Sequence, residues 1–200
     1  MSIEELPEIE SIQTEELTGK KLLTMSVISF VVYISVAWLI YWLFMDDHLM
    51  IAFEHGRPVL VQIGTGVIAG LAAAGIIMFL SGREPLVSVL DDFAIFKAIS
   101  EIKFSPFDRI QISLFAGVGE EILFRGAIQP LLGVWITSVI FIGIHGYFKF
   151  KSAGHIFFGL MMFGLSVMLG YLFEFAGLVA AMTAHAVYDV VMLWWVSYRK

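Results

Sequence analysis

The sequence contains no cysteine, which excludes disulfides, a thiol nucleophile and thiolate metal sites. Charge is also scarce. Only 15% of the 200 residues are charged and 59% are hydrophobic, with a mean hydropathy of +0.88. Soluble domains carry about 25% charged residues, so a soluble fold is excluded and the chain reads as an all-α, polytopic membrane protein. Basic residues are missing from the head. Residues 1–19 hold Glu4, Glu5, Glu8, Glu10, Glu15 and Glu16 without a Lys or Arg, although the whole chain has a net charge of only −6. Such a head is the wrong charge for a signal-peptide n-region, so no cleavage is expected. It lacks a core-forming pattern, and residues 1–20 are expected to be an acidic cytoplasmic tail. There is no internal repeat and no basic patch suited to nucleic acid.

Missing motifs narrow the chemistry further. No HExxH is present, so the usual paired-histidine zinc helix is absent. No GxSxG nucleophile turn occurs either. Asp189 is the one aspartate deep in an apolar run, which excludes an aspartate dyad.

What the chain does have is apolar length. A membrane-crossing helix needs roughly 20 mainly apolar residues. Leu22–Met45, Val59–Leu80, Ile110–Leu131, Leu132–Phe148, Gly154–Phe173 and Ala176–Val196 are the expected spans, the fourth being short. With the N-terminus inside, Lys20, Lys21, Arg83, Lys97, Lys103, Arg109, Lys149, Lys151, Arg199 and Lys200 fall on the cytoplasmic side. Arg57 alone falls outside, and Arg125 lies in the membrane. That bias predicts a multi-pass cell-membrane protein with both termini cytoplasmic. Glu84–Phe107 is too polar to cross. Its Leu86, Leu90 and Phe93 recur at helical spacing among Asp91, Asp92 and Lys97, which fits a helix on the cytoplasmic surface or a plain connecting loop. Residues 21–107 thus form two spans plus a linker, and 108–197 a four-span core. Gly66 and Gly70 make a GxxxG pattern, followed by Ala74, that suits close helix packing within the bundle better than dimerisation. The oligomeric state stays open.

The most informative segment is Gly119-Glu120-Glu121-Ile122-Leu123-Phe124-Arg125-Gly126. Ionised groups at membrane depth are costly and are found paired, inside the protein or in a wet cavity. Glu121 and Arg125 are four apart and share a helical face, so they read as a paired brace. Glu120 lies about 100° round the helix and cannot share Arg125 equally. Flanking glycines leave room for another helix, a water or a substrate backbone. His145 sits in Phe141-Ile-Gly-Ile-His145, and His185 and Asp189 are four apart on one face of the last span. Convergence of these groups into one site is the economical reading. His48, His55, His155 and Glu174 lie at span edges and are not needed for it. Carboxylates and imidazoles without cysteine suit water activation for amide hydrolysis.

The patterns Glu120-Glu121-Ile-Leu-Phe-Arg125, Phe141-Ile-Gly-Ile-His145 and His185-Ala-Val-Tyr-Asp189 resemble the CPBP family, the CAAX-processing and bacteriocin-processing intramembrane proteases also called ABI. The family pattern is EExxxR, FxxxH, then HxxxN or HxxxD on successive helices, and the likeness covers about residues 108–197. It implies an endopeptidase open towards the cytoplasm, acting on a membrane-associated or lipidated protein in the bilayer. Glu120 and His145 would activate water, His185 and Asp189 would polarise the scissile carbonyl, and Glu121 and Arg125 would support the motif helix. It also leaves open a divalent metal such as zinc at Glu120, His145, His185 and Asp189, or no metal at all. An ionised Asp189 accepts but does not donate hydrogen bonds, so Asp189 is protonated, orients His185 or ligates a metal, the orienting role being the preferred expectation. The alternative to a protease is a non-catalytic scaffold or bacteriocin immunity protein that keeps the family core. A proton-coupled transporter is disfavoured, because no repeated broken-helix pattern occurs. Depth sets one constraint: with these boundaries Glu120 lies roughly 15 Å beyond Ile110, but His145 only about 4–5 Å from Phe148.

Overall fold

A computed structural model describes residues 18–93, 102 and 104–198. The acidic head up to residue 17, and Lys97 in the linker, lie outside the described residues. The helices are α1 (Gly19–Phe44), α2 (Val59–Ser81), α3 (Pro106–Glu121), α4 (Gln129–Ile144), α5 (Ala153–Ala176) and α6 (Leu178–Tyr198). A π-helical stretch, Ile122–Ile128, joins α3 to α4, and short 3-10 turns occupy Leu49–Phe53 and Leu90–Asp92. Among the described residues there is no strand, only an isolated antiparallel bridge between Gly56 and Gly177.

Local sequence sets the helix ends. Thr18 caps α1 by accepting from the Lys21 amide. Ser105 and Asp108 form a reciprocal capping box around Pro106, the residue type favoured in a first helical turn. Gly177, at φ 120°, ends α5 and turns the chain straight into α6.

Among the described residues, five helical runs are long and apolar enough to cross a membrane, so the expected count of six is not confirmed. The third and fourth expected spans form one run of 39 residues, Pro106–Ile144. This run is not straight. Gly133 has φ 74° and ψ 169°, outside the helical region. A straight helix would separate Glu120 from His145 by about 37 Å. Their side chains instead lie 3.4 Å apart, so the chain folds back at Gly133. The arm beyond it, residues 134–144, rises only about 17 Å and cannot cross a bilayer alone.

The same arm resolves the depth constraint. Helix ends at Ile144 and residues 147–150 have no regular hydrogen bonding. The reversal at Gly133 and this non-helical stretch replace the straight spans that set the constraint, and Glu120 and His145 meet at 3.4 Å.

The described part of the linker takes the second of its two expected forms, a connecting loop. It is a series of turns, not a surface helix. Leu86, Leu90 and Phe93 are buried, but against protein: Phe93 packs on Phe158 with ring centroids 4.3 Å apart. His155 ties it down through Asp92 Oδ2 at 3.0 Å.

Gly66 and Gly70 face α6. A Cβ added at Gly66 would lie 2.6 Å from the Ala180 carbonyl, and one at Gly70 2.5 Å from that of Ala184. The GxxxG pattern is therefore an internal seam.

Candidate active site

The last turn of α3 carries Glu120 and Glu121, and the π-helical stretch follows at once. Single π turns insert a residue into a helix and often occur at functional sites. Arg125 in this stretch is wholly buried. Its Nη2 donates to the carbonyl and the hydroxyl of Ser166 on α5, each at 2.9 Å, and its guanidinium lies 4.8 Å over the Phe141 ring. Nε stands 3.1 Å from Glu121 Oε2. Neither atom meets hydrogen-bond geometry, so the contact is an ion pair rather than an aligned hydrogen bond.

The other oxygen of Glu121 reaches α6. Oε1 accepts from His185 Nδ1 at 2.7 Å. A carboxylate only accepts when ionised, so Nδ1 carries the hydrogen and Nε2 is left facing Glu120 and Asp189. Those distances are 4.0 Å to Glu120 Oε2 and 3.6 Å to Asp189 Oδ2. Glu121, rather than Asp189, therefore holds the orienting edge of His185. Glu121 thus joins Arg125 to His185, and through Arg125 the link continues to Ser166.

Glu120 points elsewhere. Its Oε2 lies 3.4 Å from His145 Nε2. His145 Nδ1 is 2.7 Å from the Phe141 carbonyl one turn earlier. A carbonyl also only accepts, which leaves the Nε2 edge directed at Glu120. The structure thus brings Glu120, His145, His185 and Asp189 together around one cavity of about 250 Å³. The cavity is otherwise largely apolar, with Ile112 and Ala116 from α3, Met162 and Leu165 from α5, and Met192 and Val196 from α6. An apolar cleft with a few convergent polar groups at one end is the usual form of a binding site.

The span-edge histidines stay outside. His55 Nε2 is 2.9 Å from the Glu174 carbonyl, and His155 is held by Ser152 and Asp92. Sequence reading missed Ser166, Tyr147 and Tyr188. Ser166 is an ordinary small polar residue in an apolar helix. Tyr147 lies two residues past a motif histidine, and Tyr188 beside Asp189, but no motif position marks either.

Among the described residues, no group of three or more His, Asp or Glu is arranged to hold a metal ion. The imidazoles and carboxylates pair with one another instead, His145 Nε2 with Glu120 Oε2 at 3.4 Å and His185 Nδ1 with Glu121 Oε1 at 2.7 Å. Zinc at Glu120, His145, His185 and Asp189 thus finds no support in the donor arrangement, and no step below runs through a metal.

Residues 103–191 match the family model described as type II CAAX prenyl endopeptidase Rce1-like. All three motifs fall inside that segment, and the resemblance they carry holds over it. A curated relative, "Uncharacterized protein YpbD" of Bacillus subtilis (strain 168), is 37% identical over 83 residues, 41% of this chain. The chain spans 42% of that relative's length. No solved structure matches significantly. The first two helices and the linker up to residue 102 lie outside the matched segment.

Proposed function

We propose that the chain is an intramembrane endopeptidase, hydrolysing a peptide bond of a membrane-associated or lipidated protein. The observation that carries this reading is the Glu120 carboxylate set 3.4 Å from His145 Nε2 at the polar end of an apolar cavity. A carboxylate so placed can take a proton from water as the water oxygen bonds to the scissile carbonyl carbon. His145 lies beside that oxygen and orients it. The carbonyl oxygen gains the negative charge, and His185, carrying a proton on both ring nitrogens, donates its Nε2–H to it. The C–N bond then breaks as Glu120 returns its proton to the leaving nitrogen. Glu121 and Arg125 hold His185 and the motif helix in register. In this reading the site opens towards the cytoplasm, both termini are cytoplasmic and the enzyme resides in the cell membrane. The likeness to type II CAAX prenyl endopeptidases makes a prenylated CAAX-terminated peptide the natural first probe.

The test is cleavage of that peptide by the protein purified in detergent. General-base catalysis contributes about 10²–10⁴-fold, so Glu120→Gln is expected to lower the rate by at least about 10²-fold. Cleavage undiminished in Glu120→Gln overturns the mechanism. No cleavage by the wild type, of this probe or of membrane-anchored peptides, favours a scaffold that keeps the family core.

A further inference from the structure

Amide hydrolysis needs hydrogen-bond donors aimed at the oxyanion, and such donors commonly come as a pair. The cavity is short of them. His185 gives its Nδ1 hydrogen to Glu121, so only the Nε2–H of its doubly protonated ring remains for the oxyanion. Asp189, beside that edge, has no hydrogen to give when ionised. Glu120 and His145 are occupied with the attacking water in the reading above, on which this inference rests. The remaining donors lining the cavity are two phenols, Tyr147 and Tyr188. Tyr188 turns its hydroxyl to Met162 Sδ at 4.0 Å.

Tyr147 is differently placed. It lies on the non-helical stretch just past His145, and its ring is nearly parallel to that imidazole, 16° apart with centroids at 5.8 Å. Phe93 and Phe158 fix the ring from other sides, at 6.2 and 5.6 Å. Its backbone is anchored as well. The amide donates to the Ile142 carbonyl at 3.1 Å, and its own carbonyl fills the space a Cβ would take at Gly159. Tyr147 lines the same cavity as Asp189 and Glu120. A rigid ring that ends in an O–H in this cavity is a preorganised donor, and preorganisation is what makes such groups effective.

We propose that Tyr147 is a catalytic residue of this site, its phenol O–H donating a hydrogen bond to the oxyanion formed on water attack. The proton stays on the phenol throughout, so the step needs no further acid or base. Phe93, from the linker outside the family-matched segment, then acts as a positioning residue by holding the Tyr147 ring.

The experiment compares wild type, Tyr147→Phe, Asp189→Asn, the double variant and Glu120→Gln on the prenylated CAAX peptide. Phenylalanine keeps the ring contacts, so the thermal midpoint in detergent should match wild type. Loss of one oxyanion donor costs about 10²–10³-fold in kcat, with KM nearly unchanged. In Tyr147→Phe/Asp189→Asn the new amide can donate, and at least about tenfold of the loss should return. A kcat for Tyr147→Phe within threefold of wild type, with Glu120→Gln inactive, overturns the role of Tyr147 and leaves the protease reading intact. A Tyr147→Phe loss that Asp189→Asn does not relieve also overturns it, because the lost function is then not a donor. Activity in Glu120→Gln removes the hydrolytic mechanism itself, whatever Tyr147→Phe shows.

Discussion

The two sides of α6 are built on opposite rules. Towards α2, Ala180, Thr183, Ala184 and Val187 meet Gly66 and Gly70 so closely that no side chain fits between the helices. Towards the cavity, His185, Tyr188, Asp189 and Met192 line open space. A third contact, Gly117 of α3 against Ala186, leaves equally little room. His185 therefore stands between two alanines, each pressed on a glycine of a neighbouring helix. Glycine contacts supply no chemistry, yet they fix the height and rotation of the residue that does. Bilayer helices gain little from apolar burial against each other, so close packing of small residues is what locks their positions. The cavity side cannot be locked in that way, because its space must admit a substrate. Its geometry is set by hydrogen bonds and an ion pair instead.

The comparison is broken most severely on the polar side. In Arg125→Met the buried Glu121 loses its counter-charge and Ser166 loses its donor. Removing one partner of a buried pair typically costs about 3–5 kcal/mol, and that loss is expected in reversible unfolding from detergent. Glu121→Gln/Arg125→Met, which removes both charges, should recover part of it. A cost under about 1 kcal/mol for Arg125→Met would show that the pair is not what holds this side together.

A smaller effect is expected from the seam. A Cβ at Gly70 would sit 2.5 Å from the Ala184 carbonyl and 3.0 Å from Val187 Cβ, backbone and branched atoms that cannot swing away. Gly70→Ala must therefore push α6, at about 1–3 kcal/mol, and cleavage should fall with it as His185 moves from Glu121. Lost stability with full activity would show that α6 position and site geometry are independent.

Much of this was legible in the sequence. Charge scarcity and apolar run length gave the helical membrane class, and stranded ionisable residues gave Glu120, His145, His185 and Asp189 as one group. Hydropathy could not place the reversal at Gly133, because a single positive φ decides it and Leu131, Leu132 and Val134 around it are uniformly apolar. Helical spacing in Leu86, Leu90 and Phe93 was real as an apolar signal. Spacing does not say whether lipid or protein covers such residues, and here it is protein. Glu121 was read from its i+4 partner alone, since its link to His185 is 64 positions away and carries no local pattern. Tyr147 was invisible for a related reason: Phe93 of the linker and the α6 side of its cavity are remote from it in sequence, and no motif position marks it.

The smallest expected effect is also the sharpest control on the seam. Gly64 and Gly75 lie on the same helix as Gly66 and Gly70, but a Cβ at either would meet nothing within 4 Å. Composition alone treats all four as equal. If glycine matters in α2 only for close approach, Gly64→Ala and Gly75→Ala lose no contact and reduce the conformational freedom of the unfolded chain. Helical glycine is about 0.5–1 kcal/mol less favourable than alanine, so unfolding should show a gain of up to that size with cleavage unchanged. A loss at Gly64 or Gly75 comparable to that at Gly70 would mean that glycine serves α2 by helix flexibility rather than contact. The fixed height of His185 would then need another source.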